Sequence, residues 1–269
     1  MSRLPRALIL LLLLAACLTV AAAEPAASVH LEELTWTELR DQVKAGATTI
    51  LVPIGGTEQN GPAMVLGKHN VRVRLLAGRI ASGLGRTLVA PVIAYVPEGS
   101  VRPPTAHMRF PGTITIPDAA FESTLEYAAR SFRQHGFKDI VLLGDHGGYK
   151  ANMKHVADKL NREWSAEATR VHALDDYYRA SSDDYAKLLK GEGYSDAEIG
   201  THAGLADTSL AMAVDARLVH ADRLHASKPG AAEGVYGDPR RASADAGQRG
   251  VELIVGRSIE AIGRVLTRR

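Results

Sequence analysis

Apolar residues recur along the chain in two rhythms, and these predict strands that alternate with helices. Runs of apolar, mostly β-branched residues predict four strands, at residues 48–54, 88–96, 139–143 and 169–174. Apolar positions spaced three or four apart predict helices at residues 31–45, 71–83, 117–136, 150–164, 207–215 and 251–266. Strands linked by crossover helices form a mainly parallel sheet covered on both faces, so we expect an α/β fold. Residues 227–247, rich in Gly, Ala and charge, are predicted to be a mobile surface loop.

The first 23 residues have the pattern of an export signal. Arg3 and Arg6 precede an almost wholly apolar stretch at residues 7–20, which is shorter than the roughly 20 residues that span a membrane. The small residues that end at Ala23 favour cleavage there, whereas the segment ending at Cys17 resembles a bacterial lipobox, whose processing would remove residues 1–16 and lipidate Cys17. An uncut signal anchor is a third alternative. We expect residues 24–269 to work in the periplasm or cell envelope, without a membrane span, and with a lipid anchor only if Cys17 is the processing site.

The amino-acid composition of residues 24–269 argues against a nucleic-acid partner and against chemistry based on cysteine. The whole chain has 32 basic and 30 acidic side chains, and removal of the two signal arginines leaves 30 of each, so no strong field suggests a nucleic-acid partner. The single cysteine excludes a disulfide framework and cysteine-rich zinc sites. If cleavage occurs at Ala23, a cysteine nucleophile is excluded as well. The candidate site residues, and not the composition, lead us to expect a small-molecule substrate.

Polar side chains follow the predicted strands at the edge where parallel sheets bind ligands. Glu58 follows the first strand, His107 lies on the long connection after the second, and Asp145 and His146 follow the third. Further along, His202 and Asp207 precede and begin the fifth predicted helix. Neither phosphate-binding glycine motif is present, and neither a serine nucleophile elbow nor an H-E-x-x-H zinc motif occurs.

A hydrolytic metal needs imidazole and carboxylate ligands with one position left open for water. The residues that supply such a set without sulfur are Glu58, His69, His146 and either Asp207 or Asp145. His146 is favoured because neighbouring glycines let the backbone approach a bound group. The sequence therefore predicts a hydrolytic metal site at this edge of the sheet.

Five segments together resemble the creatininase (creatinine amidohydrolase) family. In family order they are PIGGTEQNGP at 53–62, FPGT at 110–113 with His107 upstream, GDHGG at 144–148, HAGLADTS at 202–209 and GVYGDP at 234–239. The resemblance implies a three-layer α-β-α domain, often a homo-oligomer. It also implies a divalent metal centre (zinc or manganese, with iron as a further candidate) that activates water to cleave cyclic amides or related bonds.

The resemblance also implies roles for individual residues. By position, Glu58 and His146 match metal ligands, Asp207 stands for a glutamate of the family, and His202 matches a residue assigned to proton transfer. We add His69 to the expected metal ligands. Residues expected to bind substrate or support the site are Asn60, His107, Asp145, Gly147 and Gly148.

Two departures from the family pattern change the expected metal content. His69 stands where the family has a bridging aspartate, and Asn60 stands where it has a histidine. An imidazole cannot bridge two metals as a carboxylate does, because each ring nitrogen offers one lone pair. We therefore expect one tight metal site, either alone or with a second, weak one, rather than a firm pair. The leading function is a metal-dependent amidohydrolase acting on a small amide or cyclic amide; the alternatives are a lactone or formamide hydrolase and a non-catalytic, exported ligand-binding relative.

Overall fold

A four-stranded, fully parallel sheet lies at the centre of the fold in the computed structural model, which describes residues 28–267. The predicted signal and Cys17 lie outside the described residues. The sheet has the order β2-β1-β3-β4, and its strands are β1 (Thr49–Ile54), β2 (Thr87–Val89), β3 (Asp139–Gly144) and β4 (Arg170–Ala173). The two central strands pair in register from Thr49 opposite Asp139 to Ile54 opposite Gly144. Both are buried along their whole length, as expected for a sheet covered on both faces.

Ten α-helices surround the sheet within the described residues. They are α1 (Trp36–Lys44), α2 (Lys68–Leu84), α3 (Asp118–Gln134), α4 (Lys150–Glu163), α5 (Asp175–Arg179), α6 (Tyr185–Gly191), α7 (Asp196–Ile199), α8 (Leu205–Val214), α9 (Ala221–Leu224) and α10 (Ala244–Leu266). None of these helices is long and apolar enough to cross a membrane.

Side chains of the central strands alternate between two separate cores, which makes the fold three-layered. Leu51 and Val141 pack in one core with α2, α8 and α10. Ile50 and Ile140, one position earlier on each strand, pack in the other core with α3 and α4. The two-residue period of a strand produces this division. The predicted α/β class, parallel sheet and three-layer α-β-α architecture are confirmed.

Two regions of the chain depart from the predicted elements. The second strand ends at Val89 instead of continuing to residue 96. After Ala90 donates to the carbonyl of Leu51, Pro53 of β1 has no amide hydrogen to return, and contact resumes only where Ile93 donates to the carbonyl of Pro53 at 3.0 Å. Residues 175–199, for which no helix was predicted, form α5, α6 and α7, with a π-helical turn at Ala180–Asp184 between the first two.

The segment predicted as a mobile surface loop, residues 227–247, is partly buried and partly helical. Val235 packs with Ala63 and Met64 in a third, smaller core, and the backbone of Tyr236 pairs with that of His202. Helix α10 already begins at Ala244, where the side chain of Ser243 accepts a hydrogen bond from the amide of Ala246 at 3.2 Å. This segment therefore closes over the loops that follow the sheet.

Candidate metal centre

Glu58 is the centre of a cluster of basic side chains. It lies four residues beyond β1 and is completely buried. Its Oε1 atom lies 2.8 Å from Nε2 of His69 and 3.6 Å from Nδ1 of His202. Its Oε2 atom lies 3.2 Å from Nε2 of His107 and 3.7 Å from Nε2 of His146. Burial by itself would raise the pKa of Glu58, but the hydrogen bond and the charges around it lower the pKa well below its usual range.

The loops after the two central strands come together because a buried tyrosine joins them. The hydroxyl oxygen of Tyr149 lies 2.8 and 2.7 Å from the carbonyl oxygens of Ile54 and Gly55, which share its single hydrogen. The same hydroxyl accepts the amide hydrogens of Asp145 and His146, both at 3.1 Å. Burial and the nearby charge of Asp145 raise the pKa of Tyr149 well above its usual value, so the hydroxyl remains a donor. Glu58 and His146 are therefore held on adjacent loops.

Four side chains can contact one metal ion. Glu58, Glu98, His107 and His146 each offer a ligand atom, and these atoms lie within 4.8 Å of one another. Oε2 of Glu58 and both carboxylate oxygens of Glu98 are buried without a hydrogen-bond partner among residues 28–267. Burial, and then the charge of Glu58, raise the pKa of Glu98 to about 9. Two carboxylates and two imidazoles are a suitable donor set for zinc or manganese, and a bound cation would satisfy the unpaired oxygens.

Glu98 is a candidate ligand to which the sequence did not point. It lies on the irregular connection after β2, where neither a motif nor a periodic pattern draws attention to it. Its carboxylate reaches the site past Gly56, since a Cβ atom at that position would lie 2.7 Å from Oε1 of Glu98. One signal was present: Glu98 is the only acidic residue between positions 59 and 117.

His69 has both ring nitrogens engaged by carboxylates. Its Nε2 lies 2.8 Å from Oε1 of Glu58, and its Nδ1 lies 2.6 Å from Oδ2 of Asp145. Burial and the charge of Lys68 lower the pKa of His69, but the hydrogen bonds to the two carboxylates outweigh them and raise it overall. This predicted ligand therefore offers no free lone pair to a metal in this arrangement.

Asp207, another predicted ligand, belongs to an ion-pair network. It pairs with the ammonium of Lys68 and with Nη1 of Arg72, at 2.7 Å for the latter, and accepts the amide hydrogen of Ala203 at 3.1 Å. Of the four predicted metal ligands, the structure gathers Glu58 and His146 into the group described above, whereas His69 and Asp207 lie outside it. The departure has a physical cause: both ring nitrogens of His69 face carboxylates, and the carboxylate of Asp207 is paired with Lys68 and Arg72.

Gln59 positions two of the histidines. Its side-chain nitrogen lies 3.0 Å from both Nδ1 of His107 and Nε2 of His202, and its backbone carbonyl oxygen lies 3.0 Å from the same Nε2. Burial, and then the charge of Lys68, lower the pKa of His202 to about 3, so the ring is neutral at neutral pH. The two rings lie 4.4 Å apart between centroids.

The other residues expected to support the site contact the backbone, the ion-pair network or side-chain rings around the metal-ligand group. Asn60 faces the backbone, because its side-chain amide donates to the carbonyls of Glu58 and Val65, both at 2.9 Å. Asp145 accepts from Arg72 and from the hydroxyl of Tyr177 below the site. Gly148 donates its amide hydrogen to Nδ1 of His146 at 3.1 Å, and Gly147 precedes it against Tyr178.

The metal-ligand group lies beside a large cavity. This cavity has a volume of about 990 Å³ and is lined near the group by His107, His146 and His202. Tyr178 and Tyr236 line other parts of the wall. Because the cavity holds imidazoles and carboxylates at one end, a substrate bound there would meet the metal-ligand group.

Comparison with known proteins assigns a family to this arrangement. The sequence model of the family described as creatininase, creatinine amidohydrolase, matches residues 32–262. The chain is 27% identical to creatinine amidohydrolase from Pseudomonas putida over 73% of this chain and 76% of that protein. It is 25% identical to 3-dehydro-scyllo-inosose hydrolase from Thermotoga maritima over 71% of this chain and 58% of that one. It is 28% identical to a mycofactocin precursor peptide peptidase from Mycobacterium ulcerans over 85% and 90% of the two chains.

Solved structures agree with the sequence comparisons. A mutant creatininase described as Zn-Zn type has a TM-score of 0.75 and 27% identity, covering 90% of this chain and 100% of that one. A creatininase described as the Mn form has a TM-score of 0.76 at the same identity and coverage. The family match over most of the chain and the shared fold show that this protein belongs to the creatininase family of hydrolases.

Proposed function

We propose that this protein is a metal-dependent hydrolase that cleaves a C–N bond in a small amide or cyclic amide. The observation that carries the proposal is the group formed by Glu58, Glu98, His107 and His146, of which His107 and His146 line a cavity of about 990 Å³. Family membership supports hydrolysis as the reaction, since the named relatives are an amidohydrolase, a hydrolase and a peptidase.

Zinc or manganese is the proposed cofactor. The donor set of two carboxylates and two imidazoles suits both ions, and solved relatives are described as Zn-Zn and Mn forms. When bound, such an ion polarises a substrate carbonyl and lowers the pKa of a water molecule. Glu58, Glu98, His107 and His146 would hold it, which revises the ligand set expected from the sequence.

His202 is the proposed proton shuttle. Its Nε2 lies 3.0 Å from both the backbone carbonyl oxygen and the side-chain nitrogen of Gln59. Its Nδ1 lies 3.6 Å from Oε1 of Glu58, and the ring lines the cavity. The neutral ring has one unprotonated nitrogen, which can accept a proton and pass it to the leaving nitrogen of the substrate. Gln59 keeps the ring in this orientation.

The size of the cavity widens the range of substrates. A volume of about 990 Å³ is at the upper end of the roughly 300–1,000 Å³ that ligand pockets occupy. Amides larger than a single small ring therefore fit, and the named relatives already act on chemically different molecules. Lactones and formamides remain candidates, because they present the same kind of polarised carbonyl.

We also propose that the enzyme works outside the cytoplasm, as a small-molecule hydrolase of the periplasm or cell envelope. The support is the amino-acid pattern of residues 1–23, with cleavage after Ala23 or before Cys17. The homo-oligomer expected from the family resemblance stays a prediction.

The decisive experiment joins metal analysis to a substrate screen. Protein purified without a His tag is analysed for zinc, manganese and iron, and is assayed on cyclic amides, formamides and lactones with and without added metal. We expect near-stoichiometric metal and a hydrolysis activity that a chelator removes and metal restores.

A pair of variants makes the result specific. His146→Ala should lose metal and activity while the domain stays folded, because this side chain lies in a loop beyond β3. His155→Ala is the matched control, since this exposed histidine lies on α4 and pairs with Glu122 on α3, away from the metal-ligand group. Full metal content in His146→Ala would refute the ligand assignment. Absence of metal and of turnover in the unmodified protein would favour the ligand-binding relative.

A further inference from the structure

Lys68 is the most unusual residue near the site, and the proposed reaction does not use it. It is the first residue of α2 and is 1% exposed. Its ammonium pairs with Asp207 and lies 3.8 Å from Oε1 of Glu58. Lysine is almost never fully buried unless it is paired, so the two carboxylates must stabilise this charge.

Lys68 is one member of a closed ring of alternating basic and acidic side chains. From Glu58 the ring passes to His69 at 2.8 Å, to Asp145 at 2.6 Å, to Arg72 at 2.8 Å and to Asp207 at 2.7 Å, and returns through Lys68. Every side chain in it except Asp207 is at most 5% exposed. Three carboxylates are thus each held between two basic groups.

Glu58 belongs both to this ring and to the metal-ligand group, and each of its two carboxylate oxygens faces one of them. Oε1 faces Lys68 and His69 in the ring. Oε2 faces His107 and His146 and has no hydrogen bond within the described residues. One side of Glu58 is therefore free for a cation, whereas the other side already faces the ammonium of Lys68.

A second divalent ion has no suitable position on the Lys68 side. Asp145 and Asp207 are already bound by Arg72, and Asp207 by Lys68 as well. A divalent ion brought to Oε1 of Glu58 would meet the positive charge of Lys68 at close range, where like charges repel strongly in a buried site. A creatininase described as Zn-Zn type holds two zinc ions on the same fold.

We propose that Lys68 takes the place of a second metal ion, so that this chain binds one metal at Glu58, Glu98, His107 and His146. The inference rests on the proposed metal-dependent function. Lys68 then acts as a built-in cation that neutralises Glu58 and Asp207, and the chain needs a single divalent ion to complete its site.

The experiment counts metal ions per chain. Metal-free protein is prepared with a chelator, loaded with excess Zn²⁺ or Mn²⁺, freed of unbound ion by gel filtration and analysed for its metal content. The unmodified protein should bind one ion per chain. Lys68→Met removes the charge and keeps the length of the side chain, so Glu58 and Asp207 should attract a second ion and raise the count towards two. Lys68→Arg keeps the charge and should stay at one.

Each outcome has a distinct meaning. Two ions on the unmodified protein would overturn this inference and leave the proposed hydrolase intact. No ion on the unmodified protein would overturn the metal-dependent function and the inference with it. A folded Lys68→Met variant that still binds one ion would show that Lys68 does not replace a metal.

A measurement on the unmodified protein covers the case in which Lys68→Met does not fold. Electron paramagnetic resonance of the Mn²⁺-loaded protein should show the six-line spectrum of an isolated ion. The broadened spectrum of two coupled manganese ions would contradict the inference.

Discussion

Nδ1 of His69 lies 2.6 Å from Oδ2 of Asp145, and this contact joins the first turn of α2 to the loop after β3. Both side chains are buried, so the contact is formed between groups that have lost their water. Buried polar groups of this kind are stable only when all members of the network are satisfied. The base of the candidate site is therefore an ion-pair network, and its integrity decides both stability and the position of Glu58.

Replacing Asp145 with Asn should destabilise the protein strongly. The change removes the charge that pairs with Arg72 and accepts from His69 and Tyr177, and it leaves buried basic groups without a counter-charge. We expect a loss of about 3–5 kcal/mol in the free energy of unfolding, measured by urea denaturation. Asp158→Asn is the control, because Asp158 forms an exposed pair with Lys154 and should cost less than about 1 kcal/mol. Equal effects in the two variants would contradict the network.

Replacing Glu98 with Gln should separate metal binding from stability. The variant loses one charged ligand, so the affinity for Zn²⁺ should fall by at least about tenfold. The metal-free protein should be as stable as the unmodified one or more so, because the carboxyl group of Glu98 has no hydrogen-bond partner among residues 28–267 and lies near Glu58. Isothermal titration calorimetry and thermal unfolding measure the two effects. Unchanged affinity would remove Glu98 from the ligand set.

The sequence predicts the sheet and part of the site for a clear physical reason. Parallel strands end at one edge, so Glu58 after β1 and His146 after β3 had to lie close together once these strands were neighbours. Glu98 escaped prediction because residues 90–105 contain no helix or strand whose periodicity could place its side chain. Only the tertiary structure places residues 90–105 so that the carboxylate of Glu98 lies against Gly56, near Glu58.

The roles of His69 and Asp207 could not be read from sequence for a different reason. A histidine or an aspartate near a strand end has the donor atoms of a metal ligand whether or not these atoms are already used. Here Lys68 and Arg72, on the same helix as His69, pair with Asp207 and so occupy the oxygens that a metal ion would need. Such competition between cations depends on distances that residue spacing does not give.

Replacing Tyr149 with Phe should loosen the two loops that carry the site. The change removes the hydroxyl that forms hydrogen bonds with the carbonyls of Ile54 and Gly55 and with the amides of Asp145 and His146. Leaving these buried groups without their partner should cost about 1–3 kcal/mol, measured by urea denaturation. Metal affinity should fall as well, because Glu58 and His146 lose their common support. Tyr127→Phe, at an exposed position of α3, is the control and should change neither quantity.

The export proposal predicts a shortened polypeptide. Mass spectrometry of protein recovered from the bacterial envelope should show loss of residues 1–23 or of residues 1–16. A diacylglyceryl mass on Cys17 would identify a lipoprotein, and Cys17→Ser would then abolish membrane attachment. An intact N-terminal Met1 on cytoplasmic protein would refute export.

Replacing His202 with Ala should lower turnover without removing the metal. The ring of His202 is held by Gln59, lines the cavity and lies outside the four-residue metal-ligand group. If the ring of His202 transfers the proton to the leaving nitrogen, the rate constant kcat should fall by ~10²–10⁴-fold, while metal content and thermal unfolding stay unchanged. His225→Ala, at an exposed histidine beyond α9, is the matched control. Lost stability with an unchanged rate per folded molecule would assign His202 a packing role, and lost metal would place it among the ligands.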